Sequence, residues 1–227
     1  MRAPGFWWRS PPGPLAQLLK PLGRLYGMIT LRRMRSAGAQ AGLPVICVGN
    51  FVAGGAGKTP TALALAGLLR IRGETPFVLM RGYGGSLAGP IPVDLARHGP
   101  GEVGDEAVLM AAHARTIVSR DRPAGAALAR TLGASAIIMD DGLQNPSLTK
   151  TLRLAVVDGA SGVGNGLCIP AGPLRAPLAQ QLAATDAVLV IGDGLAGEAV
   201  AGAARSAGLA VLRGQLAPAP DAVATLR

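Results

Sequence analysis

The residues of this chain best placed to do chemistry are Gly54-Gly55-Ala56-Gly57-Lys58-Thr59. They follow an apolar run beginning VICV (45–48) and precede TALALAGLL (61–69). A buried strand, a loop of small residues and then a helix turn backbone N–H groups toward one point at a helix N-terminus, where a phosphate chain can sit. Lys58 would reach the β- and γ-phosphates as a point charge, and the Thr59 hydroxyl would hold Mg²⁺. The strict pattern G-x-x-x-x-G-K-[ST] is not met, because its first glycine falls on Val52. A plain strand-to-helix turn accounts for a Gly-Gly pair in a chain with 33 glycines. It does not account for strand, Gly-Lys-Thr and helix together, so the segment reads as a nucleotide site.

Two groups of carboxylates could serve such a site. Ser135 to Met139 is apolar and ends in Asp140-Asp141. A strand-end acidic pair across from a phosphate loop holds Mg²⁺ directly or through water; the plainer alternative is a helix cap or a turn. Gly104-Asp105-Glu106 opens a helical stretch. On the residues alone it is an N-terminal cap with favourable charge in the first turn; the functional alternative is a carboxylate that takes the proton from an attacking hydroxyl. His98 and His113 are the only histidines, and each reads as solvated or packed. Cys47 and Cys168 have no metal-ligand spacing and read as buried thiols of a reducing compartment.

These groups need elements to position them. Apolar runs at 75–80, 116–119, 136–139, 154–158 and 187–191 alternate with helical stretches at 105–114 and 123–132. Valine- and isoleucine-rich runs without polar alternation suit parallel strands buried on both faces. The expected fold is α/β: a doubly wound, mostly parallel sheet of P-loop type with flanking helices and ligands at the strand C-termini. The chain divides into an amphipathic basic arm (1–43), a P-loop core (44–215), and a linker or the start of a further domain (216–227).

The arm carries most of the charge asymmetry. The chain has 227 residues and a formal charge of +9, and ten basic residues precede its first acidic one, Glu74. Phe6, Trp7 and Trp8 open it; Leu15, Leu18, Leu19, Leu22, Leu25, Tyr26 and Ile29 follow at helical spacing, with Lys20, Arg24, Arg32, Arg33 and Arg35 among and after them. Edge aromatics, an apolar stripe and cationic flanks describe a helix lying on an anionic membrane surface, kinked or restarted at Pro21. The plainer alternative is a helix packed on the protein's own core. No apolar segment is long enough to span a bilayer, and no cleavable secretory signal is evident, although a mitochondrial presequence shares this composition. The basic arm is apolar on its other face and no nucleic-acid motif follows, so nucleic acid is not the expected partner. Nothing in the pattern fixes an oligomeric state.

The motifs Gly49-Asn50 with Gly-Gly-x-Gly-Lys-Thr-Pro, Arg81-Gly82-Tyr83-Gly84, Gly104-Asp105-Glu106, Ser119-Arg120-Asp121-Arg122, Asp140-Asp141-Gly142-Leu143-Gln144 and Pro170 to Arg175 (PAGPLR) stand in this order. In that series the chain resembles the tetraacyldisaccharide 4′-kinases of lipid A biosynthesis in Gram-negative bacteria. The resemblance implies transfer of the ATP γ-phosphate to the 4′-hydroxyl of a tetraacyldisaccharide 1-phosphate, at the cytoplasmic face of the inner membrane, by a peripheral enzyme. It implies that Gly54 to Thr59 bind ATP, that Thr59, Asp140 and Asp141 serve Mg²⁺, and that Lys58 and Asp105 are catalytic, Asp105 as the base. It implies that Arg81, Tyr83, Glu106 and Arg175 line the substrate side. Asn145 stands where the family has histidine and Ala176 where it has glutamate. The family chain is longer by about a third, continuing into a second domain that supplies a histidine partner for the aspartate, so this chain reads as lacking that C-terminal part. Two competing readings are a degenerate nucleotide- or lipid-binding relative and a membrane-associated partitioning-type ATPase switch. The switch is disfavoured by Ala53, where such proteins carry a lysine, and by Pro60 after the threonine.

Overall fold

The computed structural model describes residues 3–217. Its centre is one sheet whose strands, in chain order, are β1 (Val45–Gly49), β2 (Pro76–Met80), β3 (Ile91–Pro92), β4 (Thr116–Val118), β5 (Ala136–Asp140), β6 (Leu152–Asp158), β7 (Ala187–Ile191) and β8 (Ala210–Gly214). The spatial order is β3-β4-β2-β5-β1-β6-β7-β8, parallel throughout except for the two-residue edge strand β3. Every residue of β2, β4 and β5 is buried, because helices cover both faces, as parallel strands require. The doubly wound α/β expectation therefore holds.

The helices are α1 (Pro14–Met34), α2 (Lys58–Ile71), α3 (Pro100–Val103), α4 (Asp105–Ala111), α5 (Arg122–Thr131), α6 (Leu178–Ala183) and α7 (Leu195–Ser206). Between β2 and β5 the chain builds one side of β1; from β6 onward it builds the other. The C-terminal end of β1 is therefore the switch point where ligands bind in such sheets. Because Val48 of β1 pairs with Asp140 of β5, the glycine loop and the acidic pair emerge side by side.

The elements differ from expectation in detail. The helix after the glycine loop starts at Lys58, since Gly57 at φ 81° already turns the chain into it. The helix expected over 105–114 ends at Ala111. β8 escaped notice because it is a half-exposed edge strand carrying Arg213 and pairs only with β7.

The arm needs two corrections. Pro21 does not restart the helix: α1 runs unbroken through it for 21 residues. Trp7 is not an interfacial aromatic. It is buried in the short 3-10 turn Gly5–Trp8, and its indole Nε1 donates to the Pro170 carbonyl at 2.9 Å. The arm is thereby docked on the loop that carries the PAGPLR motif. α1 joins this contact through Gly23 and Gly27. A Cβ at Gly23 would lie 2.6 Å from the Cys168 carbonyl oxygen, so the helix approaches that loop only as closely as glycine permits. Its large side chains point the other way: Leu15, Leu18, Leu22, Leu25, Met28 and Ile29 are all exposed, Leu18 by 76%. That is the reverse of a helix seeking its own core. Among the described residues no helix is long and apolar enough to cross a membrane.

Candidate active site

β1 delivers the chain into the glycine loop at its buried end, Asn50 and Phe51. Val52, where the strict motif would place glycine, is buried and forms a bridge with Leu174, and the Arg175 Nε donates to its carbonyl at 3.1 Å. That position is thus spent on holding the 170–175 loop, and the phosphate-facing turn begins only at Gly54. Gly57 ends the turn in the left-handed region, and a Cβ there would strike Ile191 at 2.5 Å. Any side chain there would be strained by the backbone and would have to displace the end of Ile191. Lys58 then starts α2, and its ammonium folds back to donate to the Gly54 carbonyl at 3.1 Å.

On the neighbouring strand, Asp140 closes β5 and Asp141 follows at φ 50°, the one positive φ outside glycine among the described residues. Aspartate tolerates this conformation better than most residues. The turn aims the Asp141 carboxylate between two cations, with Lys58 Nζ at 3.7 Å from Oδ1 and Arg175 Nη2 donating to Oδ2 at 3.1 Å. The Lys58 contact is ionic and too long for a hydrogen bond. Asp140 is nearly fully buried, and burial, reinforced by the adjacent Asp141, pushes its carboxyl up to about 6 against the pull of Lys58.

These groups line a cavity of about 1070 Å³ together with Thr59, Arg81, Tyr83, Glu106, Arg122 and Gln144, and with Tyr26, Thr30 and Arg33 of α1. Five of the seven buried side-chain polar atoms left without a partner, among the described residues, belong to four residues of this cavity: Arg122 Nε and Nη1, Asp140 Oδ1, Asp141 Oδ1 and Gln144 Oε1. Folded chains satisfy buried polar groups almost everywhere. Here unsatisfied carboxylate oxygens and unsatisfied guanidinium nitrogens belong to residues lining one space, which suits a cation and an anion bound together. Among the described residues no three His, Cys, Asp or Glu side chains cluster. Two carboxylates and a threonine fit Mg²⁺, which keeps waters and substrate phosphates in its shell, better than a metal caged by protein alone.

The chain matches the family model described as "Tetraacyldisaccharide-1-P 4'-kinase" over residues 15–226. It is 64% identical over 226 residues to the tetraacyldisaccharide 4'-kinase of Methylobacterium nodulans, covering 100% of this chain and 67% of that protein. The chain belongs to this kinase family. The relative from Bradyrhizobium sp. strain BTAi1 is 60% identical, with 100% of this chain and 65% of the relative covered. The crystal structure of the "apo" form of LpxK from Aquifex aeolicus in complex with ATP is similar at a TM-score of 0.67 and 30% identity, over 78% of this chain and 58% of that one. The chain thus spans about two thirds of the length of the curated relatives it matches and less of the solved one.

Within the family frame, the fold brings together most residues singled out from sequence. Gly54, Gly55, Gly57, Lys58, Thr59, Arg81, Tyr83, Glu106, Asp140, Asp141 and Arg175 line one cavity; Ala56 is buried beneath the loop. Asp105 is not among the lining residues: it is exposed at the start of α4, its Oδ1 accepting from the Glu106 N–H at 3.0 Å. Neither histidine is among the lining residues; the His98 Nδ1 accepts from the Asp94 N–H in a local turn. Asn145 lines the cavity while its Oδ1 caps the Ser147 N–H, and Ala176 is fully buried. Sequence reasoning gave no role to Arg122, only 3% exposed, whose Nη2 donates to the Asp140 carbonyl at 3.2 Å. Burial lowers its guanidinium to about 10, and Asp140 and Asp141 oppose that fall. It remains a cation at neutral pH. A second arginine in Ser119-Arg120-Asp121-Arg122, at the first turn of a helix where cations are unfavourable, was the available signal.

Proposed function

We propose that this chain carries the ATP-dependent transfer of a phosphoryl group to the 4′-hydroxyl of a tetraacyldisaccharide 1-phosphate, giving a lipid A precursor. The observation that carries the reading is the cavity at the β1 switch point, where unpartnered anionic and cationic atoms converge on the glycine loop. Backbone N–H groups of Gly54 to Lys58 and the Lys58 ammonium hold the β- and γ-phosphates, and Arg122 offers its unpartnered Nε and Nη1 to phosphate oxygens. Thr59, Asp140 and Asp141 would hold Mg²⁺, which neutralises charge between the phosphates. Arg175 fixes Asp141 for that task. Asp105 accepts the proton of the sugar hydroxyl as it attacks in line, with Glu106 beside it inside the cavity. Arg81 and Tyr83 border the acceptor, and Tyr83 is 86% exposed, free to close on it.

The lipid enters from the side of α1. One stripe of that helix, Tyr26, Thr30 and Arg33, lines the cavity, while the adjoining stripe of Leu18, Leu22, Leu25 and Ile29 lies outside it. A sugar head in the cavity with acyl chains over the leucines suits an amphiphile held at the cytoplasmic surface of the inner membrane, with Arg24, Arg32 and Arg35 toward anionic headgroups.

Transfer of labelled γ-phosphate from ATP to tetraacyldisaccharide 1-phosphate in micelles tests the reading. Asp105→Ala is expected to keep ATP binding and lose transfer; full transfer by that variant removes Asp105 as the base. Leu18→Ser with Leu22→Ser and Leu25→Ser is expected to release the chain from anionic vesicles with the fold intact. Unchanged vesicle binding refutes the membrane role of α1.

A further inference from the structure

Gln181 lies behind the cavity on α6 and is fully buried. Its Nε2 donates to two backbone carbonyls, Phe51 at 3.1 Å and Ala176 at 2.6 Å. Carbonyl oxygens only accept, so this carboxamide can face them only with its NH₂ group. Its Oε1 is thereby turned to Gln144, whose Nε2 donates to it at 2.8 Å. The same Gln144 Nε2 donates to the Asn50 carbonyl, also at 2.8 Å. Both hydrogens of the Gln144 amide are now committed, and its Oε1 must point away from them. That oxygen is buried and without a partner, on a residue that lines the phosphate cavity. Reversing the Gln144 amide would set its oxygen against two acceptors.

The chain of bonds also joins three segments that build the site. Asn50 and Phe51 lead into the glycine loop, Ala176 follows Arg175, and Gln144 ends the turn begun by Asp140 and Asp141. The Asn50 side chain extends the connection, its Nδ2 donating to the Gly54 carbonyl at 2.8 Å.

We propose that Gln181 is a positioning residue that acts through Gln144, locking its carboxamide so that Oε1 presents a hydrogen-bond acceptor to an O–H donor bound in the cavity. The inference rests on the functional reading above. In that reading the donor is either a sugar hydroxyl other than the attacking 4′-hydroxyl, whose one proton goes to Asp105, or a water carried in with the metal–nucleotide complex. Gln144 accepts a hydrogen bond and takes no proton.

The test follows the side-chain ¹⁵N signals of Gln144 as MgATP is added to the 227-residue chain. Tetraacyldisaccharide 1-phosphate is then added, with a non-transferable ATP analogue. The Gln144 signals are expected to shift when the donor arrives, and to lose that response in Gln181→Met. A shift with MgATP alone identifies the water; a shift that waits for the lipid identifies the hydroxyl. Turnover is expected to fall about tenfold in Gln144→Met and in Gln181→Met, the worth of one hydrogen bond. The double variant should be no slower than Gln144→Met, because the path runs through Gln144. Losses that multiply overturn the proposal, as they indicate two independent structural defects. Glycine-loop signals that move while those of Gln144 stay fixed overturn it alone, even where Gln181→Met does not fold. Glycine-loop signals that ignore MgATP overturn the functional reading and this proposal together.

Discussion

Asp140 and Asp186 stand at opposite kinds of polar site. Asp186, beside β7, accepts three hydrogen bonds from Arg153: the backbone N–H at 2.7 Å, and Nε and Nη2 at 3.0 Å each. Its carboxyl is held below the usual range by those bonds, against a desolvation that pushes the other way. Asp140 is more deeply buried, its Oδ1 has no partner, and its carboxyl is pushed up to about 6. One carboxylate is completed by the fold and the other is left waiting. A charge kept buried and unpartnered costs stability that a chain retains only where a ligand repays it.

Lys58→Ala breaks the comparison hardest. It removes the ammonium from Asp141 and from the expected phosphates at once, and phosphoryl transfer should fall by about 10³-fold or more. Melting of the ligand-free chain should change little, since Lys58 sits beside a half-exposed carboxylate. A kinase assay paired with thermal melts checks both. Asp140→Asn is expected to separate function from stability. Turnover should fall by about 10²-fold, while the ligand-free chain becomes more stable at neutral pH. The sign comes from the raised carboxyl: the folded state binds the Asp140 proton more tightly than the unfolded state. Stability is therefore greatest below about pH 4 and falls as pH rises to about 6. The span is on the order of 3 kcal/mol at most. Asp140→Asn should flatten that part of the profile; a variant that melts lower at pH 7 contradicts the assignment.

The fold was legible because parallel strands buried on both faces are continuous apolar runs, as at 136–139 and 187–191. The glycine loop and acidic pair were legible because phosphate chemistry constrains residue type and spacing locally. What escaped was set by tertiary contact. Trp7 has the composition of a membrane anchor, and only the Pro170 carbonyl makes it a structural pin. Gln181 has no spacing relation to Gln144 or Phe51, and α6 alone brings them together. Arg122 lies in a quoted motif, yet its burial beneath Asp140 depends on how α5 packs. The amphipathic stripe of α1 was visible, but not that its glycines, rather than its leucines, face the protein.

Asp186→Asn is the smallest of these tests and the one that sharpens the contrast. Both side chains of the pair are more than a third exposed, so solvent screens the attraction and the loss should be about 1 kcal/mol. Nucleotide binding and transfer should be unchanged, because the pair lies outside the residues lining the cavity. The pH dependence should run opposite to that of Asp140. A carboxyl held low contributes stability above the unfolded value near 4, and that contribution disappears as pH falls through the folded value. Melts from pH 2 to 7 would then show Asp186→Asn losing its deficit against the parent at the acid end. The gain of Asp140→Asn should instead appear as pH rises toward 6. Two aspartates at the ends of strands in one sheet, one buried and one partly exposed, would thus be told apart by slope alone. Parallel slopes would mean that the unsatisfied state of Asp140 has no energetic cost, and that the cavity is not held open for a ligand.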